Sequence, residues 1–264
     1  MAGTLEVRDL SKHYRRDDGG SVHALDRVSL SVEEGEFVSV IGPSGCGKST
    51  LFSIIGGLVG DYEGEVRVDG RTIRGTHRDI GMVFQEESTF PWRTTLENVA
   101  FPLEIAGVSR AEREAMALRF IRLVGLEGFQ DRYPAELSGG MKQRTAIARA
   151  LAFSPKIMLM DEPFGALDEQ TRMLLGDKIL QIWRELKQTT LLITHNITEA
   201  VQLSDRVVVM SFRPGRIKEI IDIDLPRPRS SESISTERFG RYVGAIWQLL
   251  REEASLGMIE SENV

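Results

Sequence analysis

The sequence predicts an α/β fold with a mainly parallel sheet, an antiparallel β subdomain at its N-terminus and a helical subdomain inserted partway along. Three observations carry that expectation. Gly42 to Thr50 is a glycine-rich loop between a buried strand and a helix; Ile157–Met160 and Thr190–Thr194 are short apolar runs separated by a helix; and between about Leu96 and Leu151 the chain turns richer in Ala, Arg and Glu. Strand, helix and strand at that spacing imply parallel pairing through a right-handed crossover.

In chain order, Thr4–Leu10 and Val28–Val32 alternate well enough to be strands, with a polar loop at Arg15–Ser21 between them. Glu36–Ile41 is a buried strand that stops at Gly42, and Lys48–Ile55 contains good helix formers with no breaker before Gly56. Short strands are expected at Glu65–Val68 and Ile80–Phe84. In the helical stretch Ser109 and Glu112 have the spacing of a capping box, and Ala117, Phe120, Ile121 and Val124 make one apolar stripe. A helix is expected over Glu169–Lys187, and a strand-sized run over Arg206–Met210. Pro214-Gly215 marks a turn, and Pro226 with Pro228 an extended connector. Phe239, Tyr242, Val243, Ile246 and Leu250 form the apolar face of a last helix that docks on the body.

The chain has 264 residues, 41% of them hydrophobic, enough for one large domain or a core with one insertion. No apolar run approaches the roughly 18 residues that span a bilayer, and no basic segment followed by an apolar stretch opens the chain, so a cytoplasmic location is expected. The single cysteine, Cys46, excludes an internal disulfide and a thiolate metal cage. A net charge of -6 disfavours broad binding of nucleic acid.

Gly42-Pro43-Ser44-Gly45-Cys46-Gly47-Lys48-Ser49-Thr50 fits the phosphate-loop pattern G-x-x-x-x-G-K-[ST] in its required context, which points to a P-loop NTPase (RecA-like) core. Glycines let several N–H groups turn toward one anion, and the following helix adds its positive end. Lys48 then reaches the β and γ phosphates of a nucleotide such as ATP, and the Ser49 hydroxyl ligates Mg²⁺. The loop alone does not choose among kinases, GTPases and motor ATPases. Ile157–Met160 ends in Asp161-Glu162. Alone that is a strand end meeting solvent; beside a phosphate loop it suits Asp161 holding Mg²⁺ and Glu162 orienting or deprotonating water. In Leu137-Ser138-Gly139-Gly140-Met141-Lys142-Gln143-Arg144, Ser138 caps a helix whose first N–H groups face outward, and Gly139 and Gly140 allow close approach. Either a second anion site or a plain capped helix satisfies that pattern.

With these motifs in this order over nearly the whole length, the chain resembles the ATP-binding subunits of ABC transporters. That resemblance implies a catalytic Mg²⁺-dependent ATPase using Lys48, Gln85, Glu162 and His195. It makes Tyr14 the aromatic that stacks on adenine, Gln85 a sensor of Mg²⁺ and water, and His195 a switch that hydrogen-bonds the γ-phosphate. Gly165-Ala166-Leu167-Asp168 resembles the loop through which two subunits communicate. The family's catalytic unit is a head-to-tail homodimer, which implies that Ser138, Gly139 and Gly140 serve the partner's nucleotide. The implied organisation is 1–85 for the β subdomain and first part of the core, 86–155 for the helical subdomain with the signature, 156–212 for the second part of the core, and 213–264 for a C-terminal extension.

A chain without a span that resembles a transporter motor implies separate transmembrane permease subunits and a place on the cytoplasmic face of the membrane. Glu86–Arg93, with Phe90-Pro91-Trp92, is either their docking groove or ordinary subdomain core. Phe90-Pro91-Trp92, Phe164–Arg172 and Phe212–Arg216 are most similar to the nitrate, sulfonate and taurine importers, which also implies a substrate-binding protein in the same system. An exporter motor, a non-transport ABC ATPase and a nucleotide-sensing module are the alternatives. Glu162 together with His195 disfavours the last.

Overall fold

The computed structural model describes residues 2–15, 19–86, 88–165 and 167–262, with side chains up to residue 255. Parts of the expected 15–21 loop, the 86–93 segment and the 165–168 loop therefore lie outside the described residues, at 16–18, Glu87 and Ala166.

A four-stranded antiparallel sheet opens the fold. Strand β1 (Leu5–Arg15) pairs with β2 (Ser21–Val32) on one edge and with β4 (Glu63–Val68) on the other, and β4 pairs with the short β5 (Arg71–Thr72). Strand β1 runs five residues past the expected Leu10 because register shifts after Val7 and Leu10 break its alternation there.

The six-stranded sheet contains β3 (Phe37–Ile41), β6 (Ile80–Val83), β7 (Ile157–Asp161), β8 (Thr189–Ile193), β9 (Arg206–Met210) and β10 (Ile217–Asp222), in the order β10-β9-β3-β8-β7-β6. All neighbours are parallel except β10 with β9. Because side chains alternate along a strand, β3 presents Val38 and Val40 to one face and Phe37 and Ile41 to the other. Val38 and Val40, with Leu159, Leu191 and Ile193, share a core with helix α1 (Lys48–Ile55) and the antiparallel sheet. On the opposite face, Phe37, Met158, Met160 and Leu192 pack with α2 (Thr95–Ile105), α3 (Arg110–Leu123), α4 (Gly139–Ala152) and α5 (Glu169–Leu186). Ile41, Val207 and Val209 instead meet α6 (Ile197–Leu203) and the long α7 (Glu237–Glu262).

The expected stripe of Ala117, Phe120, Ile121 and Val124 is buried on the helical side. The capping box is not where the spacing puts it. The Ser109 hydroxyl turns to its own Glu112, 2.6 Å from Oε2, and makes no bond to the helix backbone. A complete box stands instead at Thr94 and Glu97, where Glu97 N–H donates to the Thr94 hydroxyl and Thr94 N–H to the Glu97 carboxylate. Among the elements without a counterpart in the sequence reading are the two-residue β5, the half-exposed edge strand β10, and α6, too short for a clear period. Phe239 and Ile246 dock α7 on the body as their spacing predicts. Among the described residues no helix is long and apolar enough to cross a membrane.

Candidate nucleotide site

The loops leaving β3, β6, β7, β8 and β9 gather at the C-terminal edge of the parallel sheet, where α/β folds place their ligands. With Tyr14 of β1 and Val22 and Ala24 of β2 they enclose a cleft of about 680 Å³. Into it the structure brings Tyr14, Ser44, Gly45, Gly47, Lys48, Ser49, Thr50, Gln85, Glu162 and His195.

The phosphate loop is held close to the β hairpin. Gly47 has φ +100°, and a Cβ there would stand 2.7 Å from the Ala24 carbonyl oxygen, so both conformation and space require glycine. No side chain caps α1, so its positive N-terminal end faces the cleft. Buried Lys48 curls over the loop and donates from Nζ to the carbonyls of Gly42 at 2.8 Å and Pro43 at 3.0 Å. Gly42 and Pro43 are thus backbone partners of the lysine. Cys46 does not face a ligand: its side chain is fully buried with the apolar core under the loop, because that is the side on which Leu51 and Met210 pack. Burial pushes its thiol pKa up, against the pull of Lys48.

Asp161, at the end of β7, lies beside the Ser49 side chain. Its Oδ1 is buried without a hydrogen-bond partner. Burial pushes its carboxyl above the ordinary carboxylate range; the Ser49 hydroxyl and Lys48 oppose this, and nearby Glu162 adds to the rise. A buried carboxylate oxygen with no donor, beside a hydroxyl, fits a hard divalent cation that takes oxygen ligands and keeps several waters.

Glu162 follows in the left-handed region, φ +44°, a conformation that costs of order 1 kcal/mol in a non-glycine residue. Its N–H is tied to the Ile193 carbonyl at 2.9 Å, which turns the side chain away from the strand and over the cleft. There Oε2 accepts from Gln85 Nε2 at 3.2 Å and lies 3.1 Å from His195 Nδ1. One carboxylate oxygen therefore joins the loops after β6, β7 and β8.

Supports for these groups escaped the sequence reading, which assigned none of these side chains a role. Lys12, buried under the hairpin, lies 4.9 Å from the Tyr14 ring centre. Gln143 on α4 donates to the Phe84 carbonyl at 3.2 Å, and Arg149 to the Ser88 carbonyl and hydroxyl at 2.7 and 2.8 Å, so one helix grips both sides of Gln85. Asn196 caps α6 through Glu199 N–H, while Thr194 donates from its hydroxyl to the buried Glu199 carboxyl at 3.1 Å. Burial raises the Glu199 pKa to about 8.

Ser138, Gly139 and Gly140 are not brought to this cleft. They begin α4 at a partly exposed place, with the Ser138 hydroxyl accepting from Met141 N–H at 3.4 Å. Gly165, Leu167 and Asp168 precede α5, with Asp168 capping it and Arg172 donating to the Leu167 carbonyl at 3.0 Å. Phe90 packs edge-on against Phe101 with centres 4.7 Å apart, whereas Trp92 is 70% exposed.

A phosphate loop at a parallel sheet edge, with an acidic pair and a histidine on the next strands, defines a nucleotide hydrolase of the P-loop class. The chain belongs to the ABC transporter family, whose model matches residues 25–165, and is an ABC-type ATPase. It is 52% identical over 253 residues to an uncharacterized ABC transporter ATP-binding protein of Methanocaldococcus jannaschii, covering 96% of this chain and 93% of that one. It is 44% identical over 240 residues to an aliphatic sulfonates import ATP-binding protein of Bacillus cereus, covering 91% and 94%. A solved dimeric ATP-binding cassette in a post-hydrolysis state with ADP and Pi superposes with a TM-score of 0.76 at 35% identity, covering 84% of this chain and 100% of that one.

Proposed function

We propose that the chain is the ATP-hydrolysing subunit of an importer for a small solute: nitrate, a sulfonate, taurine or a related compound. On this reading the cleft binds ATP with Tyr14 against the adenine and the Gly42–Thr50 loop around the phosphates. Lys48 neutralises charge on the β and γ phosphates. Asp161, Ser49 and Gln85 would hold Mg²⁺, which supplies charge neutralisation at the phosphates. Glu162 orients the attacking water and accepts its proton, and His195 donates to the γ-phosphate. The observation that supports this most directly is the meeting of Gln85 Nε2 and His195 Nδ1 on Glu162 Oε2, in the cleft that the phosphate loop also lines.

Two such chains work head to tail, Ser138, Gly139 and Gly140 of each closing the nucleotide site of the other. Their exposed position at a helix start supports this, as does the dimeric state of the solved relative. Separate permease subunits receive the exposed Trp92 side of the helical segment at the cytoplasmic membrane face, and a substrate-binding protein delivers the solute. The Bacillus cereus relative, described as a sulfonate import protein, supports both the direction and the solute class. The implied divisions, 1–85, 86–155, 156–212 and 213–264, serve as β subdomain with first core part, helical subdomain, second core part and extension. Glu162→Gln should keep ATP affinity within about twofold and lower turnover about a thousandfold, the size expected for loss of a general base together with its positioning role. Steady-state phosphate release and ATP titration check this; full turnover in the purified variant would sink it.

A further inference from the structure

The loop after β9 reaches the same sheet edge as the loops that carry Lys48, Gln85, Glu162 and His195, yet the proposed mechanism uses nothing from it. It is a built structure. Ser211 N–H donates to the Arg216 carbonyl at 2.9 Å, and its hydroxyl accepts from Arg216 N–H at 3.1 Å. The loop is pinned to β2 by Gly215 N–H on the Ala24 carbonyl and Asp26 N–H on the Gly215 carbonyl, both at 3.0 Å. Gly215 lies so close to the phosphate loop that a Cβ there would stand 2.0 Å from the Cys46 carbonyl oxygen. At the tip, Arg213 lays its guanidinium over Gly45, donating from Nε to the Gly45 carbonyl at 2.9 Å, and lines the cleft with Ser44 and Lys48. Lys48 is buried on two loop carbonyls; Arg213 is the exposed cation of the lining.

The loop is also tied to the C-terminal helix. Phe212 N–H, one residue before Arg213, donates to Glu253 Oε2 of α7 at 2.8 Å. Glu253 is buried and is further held by Lys218 of β10 at 2.8 Å. A buried carboxylate spanning from the last helix to a backbone N–H beside the cleft fixes where Arg213 can point.

We infer that Arg213 binds the polyphosphate chain of the nucleotide and that α7, through Glu253, is the positioning element that keeps it over the phosphate loop. This rests on the reading of the cleft as an ATP site. A guanidinium suits the task because it meets phosphate oxygens through two parallel N–H donors while its Nε keeps the loop carbonyl. The C-terminal extension thereby becomes part of the nucleotide site: anything that loosens α7 lowers ATP affinity.

ATP titration calorimetry on the full-length protein, with melting temperature recorded for each variant, tests both halves. Arg213→Ala should weaken ATP binding about tenfold, equivalent to ~1.4 kcal/mol, and Arg213→Lys should recover part of it. Glu253→Ala should weaken it about threefold, while Glu253→Gln, whose amide oxygen still accepts from Phe212 N–H, should match the parent. Lys48→Ala separates this inference from the site assignment. If Lys48→Ala loses ATP while Arg213→Ala binds as the parent does, the inference is wrong and the site stands. If both bind normally, the site assignment falls and the inference with it. Normal binding by Glu253→Ala beside weak binding by Arg213→Ala overturns the role of α7, as does a Glu253→Gln defect as large as that of Glu253→Ala.

Discussion

Two helices of this protein start from glycine-rich segments, and they are finished differently. Helix α1 follows Gly47 with no side-chain cap, under a cleft whose other walls are four more loops and the first two strands of the same chain. Helix α4 follows Ser138, whose hydroxyl takes one backbone N–H, and opens onto a partly exposed surface outside that cleft. Both starts carry the positive end of a helix. An anion site needs, besides that end, walls that exclude water and complementary charges. The first start has Lys48 and a surrounding sheet edge; the second, among the described residues, lies outside that edge, with Arg144 donating to the Gly140 carbonyl. The same local start thus lies inside an enclosed cleft in one place and on a partly exposed surface in the other.

The largest expected effect tests whether a second chain completes the second start. Gly139→Asp puts a carboxylate at the N-terminus of α4 and should leave ATP affinity within about twofold while lowering turnover about a hundredfold, because a neighbouring chain's phosphates would meet a negative charge. Lys48→Ala should lose ATP binding itself. The two inactive proteins, mixed, should regain about a quarter of parent activity if assembly is random and the sites act independently, since each mixed pair keeps one intact site. A mixture that stays dead, with pairing verified by light scattering, would break the comparison by showing that the two starts do not serve one site.

A smaller effect concerns what stiffens the enclosed cleft. Glu199 is buried at the base of α6, below the turn that carries His195, with one oxygen on Thr194 and the other, Oε1, unpaired. Its carboxyl is raised from 4.5 to about 8, mainly by burial, so the folded protein holds that proton more tightly than the unfolded chain does. A raised folded pKa gives a contribution to stability that is complete below pH 4.5 and lost as pH rises through about 8. Glu199→Gln, which mimics the protonated acid, should therefore have a melting temperature that falls less than the parent's across that window. Parallel melting curves at every pH would refute the assignment.

The nucleotide cleft was far more legible in the sequence than its supports. Gly42–Thr50, Asp161, Glu162 and the strand before His195 are contiguous motifs whose neighbours identify their context, and the structure gathers most of them at one sheet edge. Gln143, Arg149 and Glu253 act across long separations, where periodicity and spacing carry no signal. Helix α6 and edge strand β10 were missed for a related reason: both are short, and docking against Ile41, Val207 and Val209 decides them more than local preference does. Ser109 and Glu112 show the reverse error. The spacing for a box is present, but a hydroxyl beside a carboxylate has a second partner available, and it takes it.

The smallest expected effect lies at Cys46, in the middle of the enclosed start. A thiol in a phosphate loop invites the expectation that a bulky reagent there blocks nucleotide entry. That outcome needs the sulfur to face the cleft, and it is buried in the core beneath the loop, 3.8 Å from Lys48 Nζ, with its pKa raised by burial. Only a thiolate attacks such reagents, so both exposure and ionisation oppose the reaction. Cys46→Ser should keep ATP affinity within about twofold, since the loop presents its backbone and not this side chain to phosphate. Labelling of the parent should be slow, and it should accelerate with denaturant in step with opening of the fold. Rapid, stoichiometric labelling of the native protein that is blocked by ATP would mean that the sulfur lines the cleft, and that the wall beneath α1 is less closed than its packing implies.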